Sequence, residues 1–284
     1  MKSPLSGIKI GIIGAGNMGQ AMVRGLVEKS VYPQNISVYD VDRKKMEAVR
    51  KEARVKIAKT ARQCVSLSDV IVLAVKPQSV REAIEEIKSV IGPQTLVISI
   101  AAGVSLSSLE EYFSAGGGSA SGGKKPVCMI RVMPNMPALS GAGMSAYSLG
   151  RHANSKHRKI AEAILSSFGE IVLVQEKMLD LVTAVSGSGP AYFFLLAEKM
   201  IEAAYEFGMK VDVAKKLVYQ TAFGSGKVMA ESQEDPEDLI ARVASKGGTT
   251  EAALKIFQKH GFGKIIHDGV KAACRRSAEM REGR

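Results

Sequence analysis

A glycine spacing set between two different periodicities constrains this chain more than anything else in it. Residues 8–13 form a short run rich in Ile, and Gly14-Ala15-Gly16-Asn17-Met18-Gly19 follows at once. Over residues 18–29 the apolar positions recur with the spacing of an amphipathic helix. A strand that passes through G-x-G-x-x-G into a helix is the context that gives the pattern physical meaning. The first glycine permits a tight turn, the second lets backbone approach a pyrophosphate, and the third lets the helix lie close on the strand. The helix N-terminus then offers unpaired N–H groups to phosphates. A glycine turn without a ligand is the plainer alternative.

The rest of the first half repeats the same alternation. Runs rich in Ile and Val at 36–40, 55–58, 70–75 and 96–100 read as buried strands, separated by helical stretches at 43–52, 61–67 and 79–90. Strands at 127–133, 144–149 and 171–174 and a helix at 155–168 complete it. From residue 178 onward the pattern turns helical: 179–185, 191–207, 213–231, 236–244, 251–259 and 265–281, with Gly208 closing one helix and Asp212 opening the next. The predicted fold is an α/β N-terminal Rossmann-type domain, residues 1–174, with a doubly wound, mostly parallel sheet. An all-α C-terminal domain over 175–284 follows, and a chain of 284 residues suits two domains of roughly 150 each. Residues 191–204 are apolar on more than one face, which suits a contact with another subunit; a central core helix is the alternative. The Gly- and Ser-rich run 114–123 reads as a flexible loop.

The net charge of +11 raises the question of a nucleic-acid partner. Residues 1–174 hold 23 Lys and Arg against 13 Asp and Glu, whereas residues 175–284 hold 16 against 15. The excess belongs to the half that carries the glycine pattern, where it suits a small polyanion, and no interleaved aromatic module accompanies it. The three cysteines, Cys64, Cys128 and Cys274, show no metal-ligand spacing and suit a reducing, cytoplasmic setting. No metal site is expected. The run 70–75 is far too short to span a bilayer, and no membrane association is expected.

Within the first half, Asp40 ends the second strand, 21 residues after Gly19. A carboxylate there accepts hydrogen bonds from the ribose hydroxyls of NAD and repels the 2′-phosphate of NADP. Arg43, Lys44 and Lys45 follow and can pair with that phosphate or form a solvated helix face; the residues lean toward NAD(H). Ala74-Val75-Lys76-Pro77 ends the fourth strand and Ala101-Ala102-Gly103 the fifth, both at the edge where open α/β sheets bind ligands. Pro77 also suits a plain helix start, and the small residues 101–103 suit either a flat ring or tight packing. Arg131-Val132-Met133-Pro134-Asn135-Met136-Pro137 is stiff and non-helical, with Asn135 able to donate to a cofactor amide or to serve a structural turn.

In the second half, Ser186-Gly187-Ser188-Gly189-Pro190 interrupts two helices with good helix-start chemistry. Ser245-Lys246-Gly247-Gly248-Thr249-Thr250 is more pointed. Two glycines expose backbone N–H groups where a helix begins at Thr249 or Thr250, a setting that binds an anion such as a carboxylate. A Thr N-cap after a glycine turn is the alternative. None of His152, His157, His260 and His267 stands in a catalytic setting.

These motifs, in this order, resemble the pyrroline-5-carboxylate reductase family over nearly the whole chain, most specifically at residues 245–254. The resemblance implies NADPH- or NADH-dependent reduction of the cyclic imine 1-pyrroline-5-carboxylate to L-proline, the last step of proline biosynthesis. It also implies an intertwined homodimer that assembles further, for instance to a decamer. By the same carry-over the substrate lies between the nicotinamide and the 247–250 loop. The Thr249 and Thr250 amides hold its carboxylate, the Thr250 hydroxyl faces the ring nitrogen as the catalytic group, and Ser245, Gly247, Gly248 and the acid Glu176 complete the substrate site. A protonated imine is already electrophilic, so positioning is the main demand. Departures from the family pattern are Met136 for Thr, Lys246 for Pro, Asp40-Val41 in place of a small hydroxyl residue, Ala61 for Asn, and the 114–123 insertion. The alternatives are a non-catalytic dinucleotide sensor and a 3-hydroxyacid dehydrogenase-like enzyme, whose Lys–Asn pair cannot be built here because no Asn follows Asn154.

Overall fold

The structure, a computed structural model, describes residues 3–115 and 126–282. Residues 114–123, expected as a flexible loop, lie from 116 onward outside the described residues. Eight strands form one sheet: β1 (Ile10–Ile13), β2 (Ile36–Tyr39), β3 (Lys56–Ile57), β4 (Val70–Leu73), β5 (Leu96–Ser99), β6 (Cys128–Met133), β7 (Gly143–Leu149) and β8 (Gly169–Leu173). Their spatial order is β3-β2-β1-β4-β5-β6-β7-β8. The first six run parallel, with Ile10 opposite both Ile36 and Val70; β7 pairs antiparallel with β6, Leu149 opposite Ile130, and β8 runs parallel to β7. The doubly wound, mostly parallel sheet is as the sequence predicts.

The strands β1, β4 and β5 are buried along their whole length. Continuous apolar runs, rather than alternating ones, are what a sheet covered on both faces requires. Strand periodicity divides them between two cores. Ile10, Ile12, Val70, Val72, Leu96 and Ile98 point into one, and Ile13, Ile71, Leu73 and Val97 into the other. Covering helices are α1 (Asn17–Glu28), α2 (Arg43–Ala53), α3 (Ala61–Ser66), α4 (Val80–Ile87), α5 (Leu106–Ser114) and α6 (Ser155–Leu165). Local caps fix several starts: Asp42 accepts from the Lys44 N–H, and Thr60 from the Gln63 N–H. The sequence reading omits α5, whose serine-rich start hides a cap: the Ser105 Oγ accepts the Ser108 N–H at 3.1 Å.

Beyond β8 the chain is helical: α7 (Leu179–Val182), α8 (Gly189–Glu206), α9 (Val211–Ser232), α10 (Pro236–Val243), α11 (Thr249–Lys259) and α12 (Phe262–Arg281). A single π-helical turn, Thr183–Gly187, carries α7 onward where a helix break is expected. Gly208 ends α8 at φ +90° as expected, but Asp212 is not a cap: Lys210 holds that position, and Asp212 sits in the first turn, where its charge still suits the helix dipole.

The chain divides into two compact units, Met1–Gly187 with Cys274–Arg284, and Ser188–Ala273. In the second, α8 buries only Gly189, and α9 only Ala214 and Val218. Phe193, Phe194, Leu195 and Leu196 are exposed, so α8 is not a core helix of one chain. Within the helical run Glu176–Glu206 an 18-residue stretch of mean hydropathy 1.3 is long and apolar enough to cross a membrane by length and composition, a run the sequence reading passes over.

Candidate active site

The glycine loop leaves β1 at the point where strand order departs to both sides, β2 on one and β4 on the other. That point is where open sheets leave a crevice beyond their carboxyl edge. Gly14 has φ +108°, and a Cβ there would lie 2.4 Å from the Ala74 carbonyl oxygen. On Gly19 a Cβ would lie 2.1 Å from the Gly14 carbonyl oxygen, whereas around Gly16 the space is open. Two glycines are therefore demanded by packing, and the third leaves bare backbone facing a cleft. This fits the seat of a dinucleotide pyrophosphate.

The loop is also tied to the end of β2. The Gly14 N–H donates to the Tyr39 carbonyl at 2.7 Å. The Asp40 carboxylate accepts the Ala15 N–H on Oδ2 at 2.6 Å and the Asp42 N–H on Oδ1 at 2.8 Å. Asp40 is thus an anchored charge, with lone pairs left over for further donors. The adjoining cleft, about 310 Å³, is lined by the expected Gly14, Gly16, Asp40, Ala74, Val75 and Lys76.

The cleft adds residues the sequence reading did not assign to it, Ser79, Glu82 and Glu86 among them, and it includes Ala61, which stands where the family resemblance places an Asn near the adenosine, and Lys45 of the basic trio. Glu82 and Glu86 lie on α4 directly after the Ala74–Pro77 motif, and their four-residue spacing on the face opposite Val80, Ile84 and Ile87 is the signal that could have found them. Ala15 and Gly19 are buried beneath the loop, Met18 packs on the core and Asn17 opens α1. Pro77 begins the 3-10 turn Pro77–Ser79.

Other candidates lie outside this cleft. Ala101 is buried, and Gly103, at φ +73°, packs against Met280 of α12. Asn135 is held locally: its Oδ1 accepts the Met144 N–H at 2.8 Å and its Nδ2 donates to the Ser186 Oγ at 3.2 Å, which leaves its second amide N–H over. Two motifs distant in sequence thus meet through one amide. The Glu176 Oε1 accepts both the Leu106 N–H, at 2.7 Å, and the Nη1 of buried Arg131, at 3.0 Å. Its geometry is that of a clamp joining the start of α5, β6 and the chain that follows β8.

In the helical unit, Ser245–Gly248 forms a turn closed by the Gly248 N–H donating to the Ser245 carbonyl at 2.9 Å, with Gly247 at φ +74°. That positive φ at the third position is the requirement of a type II turn. A Cβ on Gly248 would lie 2.5 Å from the Ser245 Oγ. Gly248 is the N-cap of α11, with no side chain capping it, so the Thr N-cap alternative does not apply. The Gly247 N–H donates to the Glu251 carboxylate at 2.5 Å, and Glu251 pairs with Lys255 at 3.0 Å. The Lys255 ammonium first, and that N–H second, hold the Glu251 carboxyl below its usual range. The Thr249 and Thr250 N–H groups have no acceptor among the described residues, the free amides an anion needs. Thr250 borders a cavity of about 840 Å³ whose walls come from α9, α10 and α11.

Residues 176–280 match the pyrroline-5-carboxylate reductase dimerisation family, and residues 9–103 match the family described as NADP oxidoreductase, coenzyme F420-dependent. The chain is 36% identical to a pyrroline-5-carboxylate reductase of Pseudomonas aeruginosa over 96% of its own length and 97% of the relative's. Among solved structures, a pyrroline-5-carboxylate reductase from Coxiella burnetii superposes with a TM-score of 0.87 at 30% identity, covering 96% of this chain and 98% of that one. A Plasmodium falciparum pyrroline carboxylate reductase with NADP bound superposes at 0.82 and 30% identity, over 96% and 98%. By sequence and by fold, the chain belongs to the pyrroline-5-carboxylate reductase family.

Proposed function

We propose how this chain performs the reaction of its family, the NAD(P)H-dependent reduction of 1-pyrroline-5-carboxylate to L-proline. The reduced dinucleotide, when bound, supplies a hydride to the imine carbon. The observation that carries the reading is the glycine loop, with Gly14 and Gly19 closed to any side chain and Gly16 open to the cleft. The loop and the N-terminus of α1 hold the pyrophosphate, and Asp40 orients the adenosine ribose. On the helical unit, the Thr249 and Thr250 amides hold the substrate carboxylate, and the Thr250 hydroxyl steadies the ring nitrogen. With the imine nitrogen already protonated, the neutral amine forms as the hydride arrives, and no strong protein acid is needed. Ser245, Gly247 and Gly248 act by shaping the turn, while Glu176 and Asn135 support the scaffold through the partners described above.

The chain forms a homo-oligomer, as its dimerisation region requires. We assign the exposed apolar faces of α8 and α9 to that contact rather than to a bilayer, and a dimer assembling to a decamer is the expected state. Three free cysteines agree with a cytoplasmic setting.

The test is oxidation of NADH and NADPH by the purified protein with and without pyrroline-5-carboxylate. Oxidation that depends on the imine supports the reading; dinucleotide binding without turnover defeats it in favour of a sensor. Thr250→Ala should lower kcat/KM for the imine about tenfold, the worth of one good hydrogen bond, with dinucleotide affinity unchanged. An unchanged kcat/KM removes Thr250 from the site.

A further inference from the structure

We propose that this chain selects NADH over NADPH, by means of the anchored carboxylate of Asp40 backed by an acidic wall formed by Glu82 and Glu86. The proposal rests on the cleft being the dinucleotide seat. NADPH differs from NADH by a phosphate on the adenosine 2′-oxygen, which brings close to two negative charges at neutral pH. Asp40, held by the Ala15 and Asp42 N–H groups at 2.6 and 2.8 Å, cannot turn aside without breaking two charge-assisted bonds. Its remaining lone pairs suit two ribose hydroxyls and oppose a phosphate.

The wall is an independent observation. Glu82 and Glu86 are one helical turn apart on α4, both line the cleft and both are exposed. Neither carboxylate joins an ion pair among the described residues, although the Arg62 Nε donates to the Glu86 backbone carbonyl at 2.9 Å. Tyr39, on the same cleft, has its phenol pushed above its usual range by burial first, then by Glu86 and by Asp40. The cations that could reverse the preference are limited. Arg43 and Lys44 do not line the cleft; Lys45 and Lys76 do, and the Lys45 Nζ lies 3.7 Å from the Asp42 carboxylate. Three carboxylates therefore face two ammonium groups where a 2′-phosphate would have to be admitted.

The experiment compares kcat/KM for NADH and NADPH at saturating imine, with affinities for both measured by nicotinamide fluorescence in a protein that contains no Trp. Wild type should favour NADH by about tenfold or more. Glu82→Gln with Glu86→Gln should raise the NADPH share about threefold for each charge removed, after salt screening, with the KM for the imine unchanged. Asp40→Ser should move it further, and Lys45→Gln should move it the other way. A wild type that prefers NADPH, or a double Gln variant with an unaltered ratio, overturns the proposal. Failure of both dinucleotides to bind overturns the reading of the cleft itself, a distinct result.

Discussion

Removing the Glu176 carboxylate leaves a cation in the core. The Arg131 side chain is 4% exposed and pairs with Glu176, itself 33% exposed. Deleting one partner of a buried pair costs about 3–5 kcal/mol, because the other charge stays desolvated. With Glu176 one-third exposed, water can reach the vacated end of Arg131, so the lower part of that range applies. The Leu106 N–H at the start of α5 also loses its acceptor, about 1 kcal/mol more. The sum is about 4 kcal/mol, and for a unit of this size each kcal/mol moves the midpoint by about 2–4 °C, so Glu176→Ala should lower the Tm of the α/β unit by about 8–16 °C. Glu176→Gln keeps an acceptor for Leu106 and should lose less. Adding Arg131→Met to Glu176→Ala removes the stranded cation and should restore part of the loss. Calorimetry on the three variants gives the answer. A drop under about 2 °C for Glu176→Ala, or a double variant less stable than the single, refutes the reasoning.

Two further outcomes follow from packing. Gly19→Ala places a methyl 2.1 Å from the Gly14 carbonyl oxygen and must displace the loop; NADH titration should show at least a hundredfold weaker binding, about 3 kcal/mol, and wild-type affinity would refute the closed-loop geometry. Burial pushes the Cys64 thiol up to about 12. At pH near 8 about one molecule in ten thousand then carries the thiolate, so mass spectrometry after brief alkylation should find Cys64 unmodified while partly exposed Cys274 reacts. Because the folded pKa is raised, the corresponding stability is present below the unfolded value near 9 and is lost progressively as pH rises toward 12. Rapid labelling of Cys64 in folded protein would refute its burial.

What could be read from residues alone was whatever repeats along the chain. Eight apolar runs became eight strands; burial on both faces leaves a continuous signal at the central Ile10–Ile13, Val70–Leu73 and Leu96–Ser99, whereas β3 and β8 are largely exposed. The glycine loop was legible because its spacing carries its own geometry. Contacts between distant segments were not. Nothing near Glu176 in sequence says that Arg131 and Leu106 will share its oxygen, and nothing near Asn135 points to Ser186. A carboxylate or amide reads the same along the chain whether a ligand or the protein's own backbone claims it. The start of α5 was hidden for another reason: Ser105, Ser107 and Ser108 read as loop by composition while their hydroxyls bond one another at its cap.

The sparse burial along α8 and α9 has a thermodynamic consequence. Helices of 18 and 22 residues that bury, within their own chain, a single glycine and two small apolar side chains respectively lack the apolar transfer energy needed to offset the ordering of their backbones. The missing stabilisation must come from a second protomer, so the free energy of this region is a function of protomer concentration. Dilution then acts as a denaturant. The unfolding midpoint should climb with total protein, and refolding should contain a second-order phase whose half-time halves when the concentration doubles.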